Sequence, residues 1–185
     1  MTGYTFLPSS LNQEYNADKT YLVLNAIFGI QLSTSEGTTV ELIKLLSSVE
    51  MFSGLNEEQL AKLAGIFEER ELKQGEVLFS QGDEGDRLYL VREGFVEVIV
   101  SAGDPSQGRI IVNLGPGQSV GEMALIDRGA RSATVRAATD HTVIASVSRE
   151  AFESLCENNT EIGYRIMRNI AADLSFKLRH RDLKA

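Results

Sequence analysis

The chain has 185 residues, of which 43% are hydrophobic and 24% charged, the length and composition of one globular domain with a sizeable core. Eighteen Lys+Arg against 26 Asp+Glu give a net charge of −8, which argues against a free-standing nucleic-acid binder, since those carry a basic balance. One cysteine, Cys156, and two histidines, His141 and His180, exclude a disulfide framework and a multi-histidine metal centre, so no metal is expected and a reducing, cytoplasmic compartment is.

Residues 1–37 read as an N-terminal extension of open role. Their apolar run, Tyr21 to Ile30, is about half of the roughly 20 residues that span a membrane. No membrane span is therefore expected, and since the run lacks a basic leader and follows Asp18-Lys19 it does not read as a signal peptide. Val23, Ile27 and Ile30 suit a helix, whereas Leu22, Leu24, Ala26, Phe28 and Ile30 suit a strand. From Val40 the pattern sharpens. Val40, Leu42, Ile43, Leu45 and Leu46 predict a short helix, and Ser53-Gly54 break it. Asn56 with Gln59 three later resembles a capping arrangement. Leu60, Leu63, Ala64 and Phe67 form one helical stripe, and that helix is predicted to run to about Gly75.

A strand-rich block follows. Val77 to Phe79 precede the turn run Gln81 to Asp86; Leu88 to Val91 and Phe95 to Val100 flank Glu93-Gly94, a hairpin signal. Ser101 to Gly108 form a polar loop with Pro105. Arg109 to Val112 and Thr142 to Val147 are further strands. Short strands at this spacing predict a closed or two-sheet architecture. Ser148 caps a helix holding Phe152 and Leu155, and Asn158-Asn159-Thr160 interrupt it. A long helix then runs from about Glu161 to Arg181, with Ile162, Ile166, Ile170, Leu174 and Leu178 recurring every four residues.

The segment from Val120 to Arg136 combines features suited to one anion. Gly121 precedes a helical turn, whose start offers free N–H groups, and lacks a Cβ to block close approach. Arg131 carries a planar guanidinium suited to a phosphate, and Ser132 adds a hydroxyl. Glu122 would repel a phosphate, but it fits a sugar hydroxyl on the same ligand. On residue types alone, this is either a nucleotide site or a surface turn with a solvated Glu and Arg.

Gly121-Glu122-Met123-Ala124-Leu125 followed by Arg131-Ser132-Ala133-Thr134-Val135 resembles the phosphate-binding cassette of the cyclic nucleotide-binding domain family, the module of catabolite activators, cAMP-dependent kinase regulatory subunits and nucleotide-gated channels. Gly82-Asp83 and Glu93-Gly94 match structural glycines of that family. The resemblance covers about residues 40–183. It implies an α+β fold: a jelly-roll-like β-roll of about eight antiparallel strands, flanked by N-terminal helices and a long C-terminal lid helix. The domain would be 38–185, with the cassette at 121–135 and the C-terminal helices at 148–183. It further implies that Glu122 holds the ribose 2′-hydroxyl and Arg131 the cyclic phosphate. Backbone N–H groups around Met123, Ala124 and Ala133 and the Ser132 hydroxyl would complete the cradle. Ser132 favours cAMP over cGMP.

The lid candidates are Phe176, Lys177 and Arg179, with His180 beside them. Since the chain stops at Ala185, before any helix-turn-helix or catalytic domain, the reading is a stand-alone sensor rather than an enzyme. Its C-terminal helix would signal to a protein partner or a homodimer; the alternative is a non-binding scaffold of the same fold. Residues 165–185 carry a net charge of +4 within the acidic total, so that helix end is the expected docking point for an acidic partner surface.

Overall fold

In the computed structural model, residues 35–101 and 108–181 are described. The chain divides into two units, Met1–Glu36 and Gly37–Ala185. The apolar run at 21–30, the Pro105 loop and the residues after Arg181 lie outside the described residues. In chain order the described elements are α1 (Ser35–Ser48), a 3-10 turn (Glu50–Phe52), α2 (Glu57–Ala64), β1 (Glu68–Leu72), β2 (Val77–Phe79), β3 (Arg87–Glu93), β4 (Val96–Val100), β5 (Arg109–Leu114), β6 (Ser119–Val120), a second 3-10 turn (Glu122–Leu125), β7 (Thr134–Ala137), β8 (Thr142–Ser148), α3 (Arg149–Asn158) and α4 (Thr160–Arg181).

The strands form two four-stranded antiparallel sheets, ordered β1-β8-β3-β6 and β2-β7-β4-β5. Between them lies a core built on Leu72, Val91, Val96, Val98, Val135 and Ile144. The other face of the first sheet carries Leu88, Leu90, Ala145 and Val147, which pack with Leu46, Phe52, Leu63, Phe152, Ile162 and Ile166 from the helices. Alternation along β3 therefore supplies both cores, since successive strand residues point to opposite faces. The two-sheet roll with flanking helices is the architecture expected from the sequence.

Two local expectations are overturned. Helix α2 has the predicted capping box, with Asn56 and Gln59 bonding each other's backbone, but it ends at Ala64 rather than Gly75. Glu68 to Leu72 instead pair with β8, Glu68 opposite Ser146 and Leu72 opposite Thr142. Good helix formers fill this strand, yet pairing and the complete burial of Leu72 override propensity. Nor do β3 and β4 form a hairpin: β3 pairs with β6 and β8, and β4 with β5 and β7. Gly94 (φ +72°) is the corner where the chain crosses between sheets, and a Cβ there would lie 2.7 Å from Thr142 Oγ1.

Helix α3 starts as predicted, with Ser148 Oγ accepting from the Ala151 N–H at 3.2 Å. On α4, Ile162, Ile166 and Ile170 are buried, but Leu178 is 63% exposed. Each step of four residues advances about 40° beyond a full turn, so the stripe drifts off the core. Its last member joins a different face with exposed Tyr164, Met167 and Ala171. Asn169 anchors the helix by donating to the Met51 and Ser53 carbonyls.

Candidate functional site

Gly121 adopts a left-handed conformation, φ +81° and ψ +24°, and starts the 3-10 turn Glu122–Leu125. Ala124 and Leu125 anchor the turn in the core, while Met123 stays exposed. The Ala124 N–H donates to Gly121 O at 3.0 Å, and the Ile126 and Asp127 N–H groups both donate to Met123 O at 2.9 Å. The chain then returns beside the β2–β3 loop. There the Arg131 N–H donates to Asp83 O at 2.8 Å and the Gly82 N–H to Arg131 O at 2.9 Å. An isolated bridge pairs Glu84 with Ala130.

This backbone holds Arg131 with only 7% of its surface exposed. Its guanidinium carbon lies 4.2 Å from the centre of the Phe79 ring and 5.5 Å from that of Tyr89, a cation–π arrangement. Nη2 donates to Arg87 O at 2.9 Å, and the nearest carboxylate oxygen, of Asp86, is 3.8 Å from it. The Nε is buried and has no partner. Gly121 faces this group so closely that a Cβ would collide with Nη1. Burial pushes the Tyr89 phenol up, and the Arg131 charge partly opposes that shift.

Glu122 lies at the other end of the site. Its Oε1 is 3.4 Å from Lys177 Nζ, and Lys177 also meets Asp173 Oδ2 at 2.7 Å. The hydrogen bond that Lys177 donates to Asp173 is the main cause that raises its ammonium above its ordinary value. Arg131, Glu122, Ser132, Ala133 and Lys177 share a cavity of about 430 Å³ with Gly121, Met123 and Ala124; Ile111, Val112 and Leu114 add apolar wall. That volume is within the range of small-molecule sites. The arrangement suits an anion that also carries hydroxyls and a flat apolar body.

The structure thus brings Gly121, Glu122, Met123, Ala124, Arg131, Ser132 and Ala133 around one cavity. Of the lid candidates it brings only Lys177 there. Phe176 stacks on His180, with ring centres 3.9 Å apart, and Arg179 Nε donates to Ser175 O on its own helix at 3.2 Å. Sequence reasoning missed Phe79, Tyr89 and Arg149. The first two look like ordinary strand residues. Arg149 carried one signal: a cation in the first turn of a helix, where the dipole disfavours it. Among the described residues no cluster of His, Cys, Asp or Glu is placed to hold a metal ion, and no helix is long and apolar enough to cross a membrane.

Comparison with known proteins agrees with the geometry. The family profile for the cyclic nucleotide-binding domain matches residues 69–159. The chain is 36% identical over 134 residues to the cyclic AMP receptor protein of Thermus thermophilus, a match covering 72% of this chain and 59% of that protein. It is 33% identical over 130 residues to the cGMP-dependent 3',5'-cGMP phosphodiesterase A of Dictyostelium discoideum, covering 70% of this chain but 14% of the relative. The solved cyclic nucleotide-binding-like protein from Brucella abortus superposes with a TM-score of 0.57 at 30% identity, covering 63% of this chain and 98% of that one. The chain therefore spans less than two thirds of the length of each of these two curated relatives. With its two-sheet roll, its flanking helices and its cassette residues gathered on one cavity, this chain belongs to the cyclic nucleotide-binding domain family.

Proposed function

We propose that the chain is a cytoplasmic cyclic nucleotide sensor that binds cAMP in preference to cGMP and acts by binding rather than by turnover. The observation that carries this reading is the Arg131 guanidinium. It is buried against two aromatic rings, lacks a full set of partners and shares one cavity with the Glu122 carboxylate. A buried cation short of acceptors is costly unless an anion completes it. Arg131 takes the cyclic phosphate, with the Ser132 hydroxyl beside it. Glu122 accepts from the ribose hydroxyl, and the apolar wall takes the base. Likeness to a cyclic AMP receptor protein supports cAMP. Likeness to a cGMP-dependent enzyme favours cGMP as the second reading.

The output element in this reading is α4. Lys177 already reaches Glu122, so a ribose on Glu122 competes with the lid for one acceptor. Tyr164, Met167, Ala171, Leu174 and Leu178 alternate spacings of three and four, the period of a coiled-coil seam. The partner in this reading is a second copy of the chain. Calorimetric titration with cAMP and with cGMP tests the site, and sedimentation of the same samples tests the dimer. Heat with cAMP and a two-chain mass are expected. No heat with either nucleotide at millimolar concentration sinks the sensor in favour of a non-binding scaffold, and a one-chain mass at all concentrations sinks the seam.

A further inference from the structure

Arg149 is buried, with 9% exposure, at the first position of α3. Two electrostatic terms oppose a cation there: the helix dipole and the loss of water around the charge. What holds it is a set of hydrogen bonds to main-chain carbonyls. Nε donates to Ala124 O at 2.5 Å, and Nη2 donates to Asp127 O at 2.5 Å and to Gly85 O. The Arg149 N–H also donates to Asp86 O at 2.8 Å.

These acceptors lie on both walls of the anion site. Ala124 and Asp127 belong to the cassette turn and the loop it enters. Gly85 belongs to the β2–β3 loop, where a Cβ would stand 3.6 Å from the Arg131 guanidinium carbon, and its N–H meets Gly129 O at 3.3 Å. One rigid, planar fork therefore spans the cassette turn, the loop flanking Arg131, and the start of α3. Only Asn159 separates α3 from α4, which carries Lys177.

We infer that Arg149 is a positioning residue. It fixes the separation between the Ala124–Asp127 turn and the Arg131 wall, and it ties that separation to the α3–α4 arm. A ligand that draws the turn toward Arg131 must pull the Ala124 and Asp127 carbonyls against a charge-assisted clasp, and α3 moves with them. The role toward nucleotide rests on the binding proposed above; the clasp itself does not.

The experiment compares the full chain with Arg149→Lys and Arg149→Met by amide hydrogen exchange and cAMP calorimetry. Without ligand, Arg149→Met is expected to exchange about tenfold faster or more at residues 124–127 and 84–86, while β8 keeps its protection. Arg149→Lys recovers part of this. With cAMP, Arg149→Met is expected to bind about tenfold more weakly. At saturation it no longer shows the exchange change along residues 173–178 that the unaltered chain shows. Unchanged cassette exchange in Arg149→Met overturns the inference, as does an affinity and α4 response equal to those of the unaltered chain. Equal loss of protection across β8 and the cassette in both variants overturns it too, since Arg149 would then be merely structural. If the unaltered chain takes up no cAMP, the nucleotide reading falls, and the ligand-free exchange still decides whether Arg149 holds the turn.

Discussion

Arg131 and Arg149 are buried to nearly the same degree and lie on either side of the same short turn, yet their donors are used differently. Arg149 gives its donors to carbonyls of its own chain. Arg131 gives one to Arg87 O and rests its face on Phe79 and Tyr89, with Nε unmatched. A guanidinium whose donors are satisfied internally is part of the scaffold. One left short beside a cavity stabilises the fold little until an external anion arrives. In the proposed reading, the contrast separates the group that recognises from the group that holds.

The sharpest way to break this comparison is Arg131→Met. Cyclic AMP affinity is expected to fall about 100-fold or more, since charge-assisted bonds to the phosphate are lost. The melting temperature is expected to stay level or rise, because an underpartnered buried charge gives way to an apolar chain between two rings. Calorimetry and a thermal melt check both. Affinity within a factor of two, or a melt lowered by ten degrees, would place Arg131 in the scaffold with Arg149.

Gly121→Ala has a smaller expected effect on both sides of the comparison. The left-handed backbone costs an L-residue about 1–2 kcal/mol, and the added Cβ meets the Arg131 guanidinium and lies 3.1 Å from Arg87 O. Lower stability together with about tenfold weaker cAMP binding is expected. Binding retained with stability lost would show that Arg131 moves aside without consequence.

The smallest effect concerns Lys177, whose side chain is more than half exposed. Its ammonium is held above the ordinary value of 10.5, first by Asp173 and also by Glu122. Its contribution is therefore fully present below pH 10.5 and is lost as pH rises through the folded value. Lys177→Gln should lower the melting temperature by no more than about 2–4 °C, the effect of about 1 kcal/mol in a chain of this size. The gap from the unaltered chain should close above pH 10.5. A gap that persists unchanged at higher pH would show that the ion pairs are idle.

Much of this was legible because local chemistry and tertiary role coincide. The Asn56 and Ser148 caps carry their role in residue type and spacing, and the Gly121-Glu122 and Arg131-Ser132 pairs carry the family resemblance and come together on one cavity. What was hidden depends on partners far along the chain. Glu68 to Leu72 become a strand only because β8, far along the chain, pairs with them, and their mostly exposed side chains leave no alternation to read. Glu93-Gly94 has the composition of a hairpin turn, but β3 finds its partners in β6 and β8 and β4 in β5 and β7, so the turn becomes a corner between sheets. Arg149 reads as a surface helix residue because its acceptors are carbonyls, which have no sequence signature. The stripe of four on α4 was correct as a period; drift around the helix decided how far it stayed buried.

The bracketing of the cassette loop has a consequence for how the site can change. Arg149 holds the chain at Ala124 and Asp127, and the Glu84–Ala130 bridge holds it again before Arg131. Between those anchors lie only Arg128 and Gly129, and Gly129 is itself held, its N–H on Asp127 Oδ1 and its carbonyl on the Gly85 N–H. In the proposed reading, the exposed Arg128 is therefore the position in that stretch where a side chain can change with both anchors kept, altering what crowds an entering phosphate. That position is where the domain can acquire a new affinity at the smallest thermodynamic penalty.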